Sequence, residues 1–241
     1  MKKIFLSAIF AFTLCSSPFA TADSKYYCKV GLGNLIGTMQ DTTNEVESGG
    51  DSVAFAMEAK GGVAISLGLG YKVNKFLSSE FTLQQNLGND LKGDLLIDGI
   101  TIAEATGFNT ESIILTEVDT LSFMATAKLD INQLFQKEWP VEPYVGLGVG
   151  FAKNSLDEIV GRTIFEGVVI SQSPVVSGGN SSGFAWRFLA GLTRPINKKY
   201  AVDLHYQYSN YGSVAIYDNG DGREIDLTAN EIILGLRYNF R

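Results

Sequence analysis

The chain has 241 residues, 45% hydrophobic and only 19% charged, which excludes a disordered polymer and allows one large or two small domains. A formal net charge of -7 and the lack of a basic patch argue against a nucleic-acid-binding surface. Glycine is frequent (26) and proline scarce (5), a balance that suits an all-β protein with many turns and close backbone contacts.

Residues 1–22 read as a secretory signal peptide. Lys2 and Lys3 form a positive n-region, Ile4 to Leu14 an apolar h-region too short to span a bilayer, and Ala20-Thr21-Ala22 a small-x-small cleavage site. Cleavage there removes Cys15 and leaves 23–241 as the exported domain, with Cys28 its single cysteine. No later segment has the roughly 18 apolar residues of a transmembrane helix.

From residue 26 onward the dominant period is two. The first expected strand, Tyr26 to about Met39, sets Tyr26, Cys28, Val30 and Leu32 against Tyr27, Lys29, Gly31 and Gly33. The second, 61–73, sets Val63, Ile65, Leu67, Leu69 and Tyr71 against Ala64, Ser66, Gly68, Gly70 and Lys72. The third alternates Leu77, Phe81, Leu83 and Leu87 with Glu80, Thr82, Gln84 and Asn86. The fourth sets Leu121, Phe123, Ala125 and Leu129 against Ser122, Thr126, Lys128 and Asp130. In the fifth, Val145, Leu147, Val149 and Phe151 interleave with Gly146, Gly148 and Gly150. The sixth opposes Phe184, Trp186, Phe188 and Leu192 to Arg187, Leu189 and Gly191, and the seventh opposes Tyr200, Val202, Leu204, Tyr206 and Tyr208 to Ala201, Asp203, His205 and Gln207. The eighth is the closing ILGLRYNFR, 233–241.

Connections alternate in length as strictly as side chains alternate in polarity. Segments 40–60, 88–112, 154–182 and 211–227 are long and polar, while the joins near 74–75, 132–140 and 195–198 are short. An up-and-down barrel with both termini at one end produces this order. The expected fold is therefore an eight-stranded antiparallel up-and-down transmembrane β-barrel.

Three features place the apolar phase outside, against lipid, rather than inside as in a soluble ligand-binding barrel. The polar phase is crowded with Gly, Ala and Ser, which suits a narrow interior. Charges of both signs recur in it sparsely: Lys29, Lys72, Glu80, Lys128, Asp130, Arg187, Asp203, Glu231 and Arg237. Such charges are expected to pair within the lumen, Arg237 with Glu231 or Glu80, which offsets their desolvation. Aromatic rings gather toward strand ends in the apolar phase, as at a membrane interface.

The tract SFMATAKLDI…WPVEPYVGLGVGFA (122–152), with Pro143, Tyr144, Gly146, Gly148 and Gly150 in a Pro-Tyr-aliphatic-Gly strand, resembles small surface-antigen and opacity-type outer-membrane barrels, OmpA-like in architecture. FAWRFLAGLTRPI and YAVDLHYQYSNYG resemble that family's later strands. The resemblance implies residence in the bacterial outer membrane, with lipid as solvent. It also implies a C-terminal signal for the outer-membrane assembly machinery at Gly235, Tyr238 and Phe240, from which Arg241 departs by following the last aromatic. It further implies a structural and adhesin or antigen role, with a host or cell-surface ligand met by the four long segments. A narrow porin-like solute channel is the alternative.

Enzymatic chemistry is not expected. Some eight-stranded outer-membrane enzymes deacylate lipid A with a His-aromatic-Ser order, but His205-Tyr206-Gln207 has Gln where Ser belongs. YDNGDGREID (217–226) has Gly220 and Gly222 where a calcium loop needs oxygen ligands, and reads as a turn. The Gly-x-Gly runs lie inside strands and are not dinucleotide fingerprints. No cofactor is expected. The apolar tracts Val53 to Met57, Leu95 to Ile102 and Ile164 to Ile170 either extend the barrel as hairpin strands above the membrane, the expected arrangement, or make a contact surface.

Overall fold

A computed structural model describes residues 25–40, 46–48, 51–97, 100–101, 110–136, 139–165, 168–176, 179–218 and 221–240. The expected signal segment 1–22 and Arg241 lie outside the described residues. The strands are β1 (Tyr26–Gln40), β2 (Val46–Ser48), β3 (Asp51–Lys60), β4 (Val63–Lys72), β5 (Leu77–Ile97), β6 (Ile100–Thr101) and β7 (Thr110–Asp130). After a one-turn helix α1 (Ile131–Phe135) come β8 (Glu142–Leu156), β9 (Ile159–Phe165), β10 (Val168–Val176), β11 (Gly179–Pro195), β12 (Tyr200–Asp218) and β13 (Asp221–Asn239).

Eight of these are staves of one closed barrel: β1, β4, β5, β7, β8, β11, β12 and β13, each antiparallel to the next, with β13 pairing back to β1. Directly opposite residues trace a ring from Glu142 through Thr193, Asp203, Gly235, Gly31, Ser66, Gln84 and Ser122 to Ala152, so one circuit returns to β8 ten residues higher. With a rise of about 3.3 Å and a spacing of about 4.8 Å, that stagger tilts the strands by about 40° and leaves a backbone radius of about 8 Å.

So narrow a lumen accepts a large side chain only where a neighbouring strand supplies none. Ile233 occupies the space over Gly31 and Gly33, where a Cβ at Gly33 would lie 2.6 Å from Ile233 Cγ1. Leu189 fills the space over Gly146, where a Cβ would sit 2.9 Å from Leu189 Cδ1, and Met124 does the same at Gly150. The glycines of the polar phase are thus the complement of its large members. On the outer wall, Val30, Leu32, Phe81, Phe123, Leu147, Phe151, Phe184 and Leu234 are all exposed, the inverse of a soluble domain.

Two of the short joins are the same turn. Asn74 Oδ1 accepts from the backbone N–H of Phe76 (3.0 Å) and Leu77 (2.7 Å), and Asn197 Oδ1 accepts from Lys199 (2.8 Å) and Tyr200 (2.9 Å). The third join holds α1, whose N-cap Asp130 accepts from Gln133 N at 3.1 Å.

At the opposite end the structure corrects the long polar segments. Their strands run on past the membrane: β5 and β7 have 21 residues each and β12 and β13 have 19, where roughly 9–11 suffice to cross. The terminal strand begins at Asp221, not near Ile233, because β12 pairs with it, across a register shift between Asn210 and Ser213, up to the pair Asp218↔Asp221. The described parts of the three apolar tracts pair as hairpin strands, while 98–99, 102 and 166–167 lie outside the described residues. Val53 to Met57 belong to β3 on β5, Ile97 pairs with Ile100, and Phe165 pairs with Val168.

Candidate functional site

Inward-facing residues come from every stave, so the lumen is assembled from side chains far apart in sequence. Nearest the short turns is a charged layer. Glu80 accepts from Lys128 Nζ (2.6 Å) and Tyr27 OH (3.0 Å) and pairs with Lys29 Nζ at 3.2 Å. Asp203 takes Lys29 Nζ at 3.3 Å, Tyr144 OH at 2.7 Å and Thr193 Oγ1 at 3.0 Å, and lies 2.9 Å from His205 Nδ1. Lys29 bridges the two carboxylates.

Arg187 lies above this layer. Its Nη2 donates to Thr126 Oγ1 (2.7 Å) and Thr82 Oγ1 (2.9 Å), and its Nη1 reaches Gln207 Oε1 at 3.5 Å. Above that again, Glu231 is held entirely by neutral donors: Gln84 Nε2 (2.9 Å), Asn86 Nδ2 (2.5 Å), Tyr211 OH (3.0 Å) and Gln207 Nε2. Among the described residues six charged side chains besides His205 are buried, and Lys29, Lys128 and Arg187 balance Glu80, Asp203 and Glu231. A mixed-charge interior of this kind is stable because every ion keeps hydrogen-bond partners after leaving water.

The remaining three expected network residues sit at the turn-end mouth. Lys72 is exposed, and Asp130 is half-buried and caps α1. Arg237 was expected to meet Glu231 or Glu80. Instead its guanidinium lies 3.9 Å from the Tyr27 ring centroid, and its Nε donates to Asn239 Oδ1 at 2.9 Å. Glu231 stands six residues further along the same strand, about 20 Å away, and the Tyr27 ring occupies the approach to Glu80. The neutral partners Tyr27, Tyr144, Tyr211, Gln84, Asn86 and Gln207, with Thr82, Thr126 and Thr193, are not among the expected network residues. Their membership of the inward phase is the signal that places them in the lumen.

His205 is an interior hydrogen-bonding residue beside Asp203. Ser209 shares its face but lies four residues along, about 13 Å away, too far for a nucleophile and its base. Toward the outer end, Leu35, Val118, Met124, Leu156, Tyr211, Leu227 and Ile233 join the small residues Ala64, Ala152, Ala185 and Ala229 in an apolar cluster. At the turn end a cavity of about 40 Å³, lined by Lys29, Glu80, Lys128, Tyr144, Asp203 and Arg237 among others, has room for a water or two.

Of the three residues expected to be read during assembly, Gly235 faces inward beside the Lys29 stem. Tyr238 packs on Tyr200 (ring centroids 5.4 Å apart) and on Phe240 (5.3 Å), and Phe240 N donates to Tyr26 O at 3.1 Å, which ties the end of β13 to the start of β1.

An uncharacterised protein of Brucella abortus (strain 2308) is 23% identical over 210 residues, covering 76% of this chain and 70% of the relative. Among solved structures, Neisserial surface protein A superposes with a TM-score of 0.51 at 15% identity, covering 90% of this chain and 98% of the other. The outer membrane protein OprG from Pseudomonas aeruginosa gives a TM-score of 0.49 at 11% identity, over 90% and 97%. The outer membrane protein beta-barrel domain family matches residues 6–240. The closed eight-stave barrel, its lipid-facing apolar wall and this match agree, and the chain belongs to the outer membrane protein beta-barrel domain family.

Proposed function

We propose that this outer-membrane protein is a sealed anchor that presents tall hairpins at the cell surface, with a structural and adhesin or antigen role and no catalysis. The observation that carries the reading is the occluded lumen: two polar layers and an apolar cluster fill it, leaving the extended strands above the membrane as the part available to a ligand. Segments 40–60, 88–112, 154–182 and 211–227 are the contact regions for a host or cell-surface partner. In this reading the export signal is removed after Ala22, and the assembly machinery reads Gly235, Tyr238 and Phe240.

The narrow solute channel is the second reading, favoured by the charged cavity at the turn end. Planar-bilayer recording of the refolded full chain separates the two. The anchor gives no steady conductance, whereas saturable single-channel currents select the channel. Protease shaving of intact cells should cut within the four long segments, and cuts confined to 74–75, 132–140 and 195–198 would reverse the topology.

A further inference from the structure

We infer that the short-turn rim of the barrel is a binding collar for anionic phospholipid headgroups of the periplasmic leaflet. The chain as a whole is acidic, at -7, and its charge is sharply partitioned. The four long segments hold seventeen acidic residues and four basic ones. At the opposite end, among the described residues, Lys25, Lys72, Lys75, Arg194, Lys198 and Lys199 are all exposed, against two half-buried acids, Asp130 and Glu142; Lys137 and Glu138, which lie outside the described residues, offset each other in formal charge. The acids are also engaged inward, Asp130 as the cap of α1 and Glu142 beside the charged cavity.

A second observation says what covers these cations. Large apolar side chains stand among them in the turns: Phe76 (43% exposed), Leu134 (51%), Phe135 (65%), Trp139 (50%) and Ile196 (63%). Turns bathed in water gain nothing from such exposure. They follow on from exposed apolar residues of the wall: Leu129 lies just before α1, and Leu192 and Tyr200 flank the last turn. The turns therefore rest in the headgroup region, with apolar groups dipping toward the acyl chains and lysines reaching phosphate, the arrangement of an interfacial basic-amphipathic surface. The two Asn-Lys turns repeat it: Lys75 beside Phe76, and Lys198 and Lys199 beside Ile196. An anionic leaflet complements this rim in charge, while the acid-rich hairpins oppose entry at the wrong end.

The test uses the full chain refolded into nanodiscs of phosphatidylcholine alone or mixed with phosphatidylglycerol. Lipids retained after detergent challenge are counted by native mass spectrometry. The wild-type protein should retain phosphatidylglycerol several-fold over phosphatidylcholine, and the preference should fall as salt screens the lysines. The triple variant Lys75→Glu/Lys198→Glu/Lys199→Glu should lose the preference while keeping the heat-modifiable gel mobility of a folded barrel. If that variant does not fold, the glutamine version of the same three positions and the wild-type salt titration carry the test. Equal retention of both lipids by the wild type, or an unchanged preference in a folded variant, overturns the collar. Lipid-indifferent binding of the wild type to purified cell-wall sacculi would assign the rim to a different partner and also overturn it.

Discussion

The lower and upper halves of the lumen bury carboxylates in opposite ways. Near the turns, Glu80 and Asp203 are neutralised by contact with Lys29 and Lys128, at distances of 2.6–3.3 Å. Near the outer end, Glu231 touches no cation among the described residues and is solvated by two glutamines, an asparagine and a tyrosine, with Arg187 reaching it through Gln207. Ion pairing makes each partner depend on the other's charge. Solvation by amides depends on the geometry of several donors and tolerates loss of charge better.

This difference can be broken by substitution. The largest effect is expected from Glu80→Gln, which leaves Lys29 and Lys128 buried with Asp203 as their single carboxylate. Removing one partner of a buried pair costs about 3–5 kcal/mol, read as a lowered urea midpoint for unfolding from lipid vesicles. Glu231→Gln keeps the shape but turns one acceptor into a donor that faces other donors, a mismatch worth about 1–3 kcal/mol. If the two variants unfold at the same midpoint, the halves do not differ as described. At the mouth, Arg237→Ala removes a cation over the Tyr27 ring, worth about 0.5–1 kcal/mol at a half-exposed site. A loss as large as that of Glu80→Gln would show that Arg237 belongs to the buried network after all.

Legibility in the sequence follows the same division. Which residues face inward could be read at every stave, because side chains alternate strictly along a strand and one face of this sheet meets lipid. Which inward residues meet could not. Lys29 and Asp203 are separated by 174 positions, and Gln84 and Glu231 by 147. Arg237 and Glu231 looked like neighbours only because they are close in sequence. The tall hairpins were partly legible: their apolar tracts alternate, but their charged stretches read as loop because polar strands and polar loops have similar composition. Backbone pairing, which needs no apolar side chain, carries the strands on.

The sequence by itself determined the all-β class, the inward and outward phases, the number of staves and the end at which the long connections lie. Those properties are local, set by periodicity and by the spacing between alternating segments. Only the tertiary structure decided the ten-residue stagger and the partners of each buried charge. It also decided that Glu231 is held by amides and Arg237 by an aromatic ring. A closed barrel sets all of these together, since the register of the last strand against the first fixes the height of every side chain across the lumen.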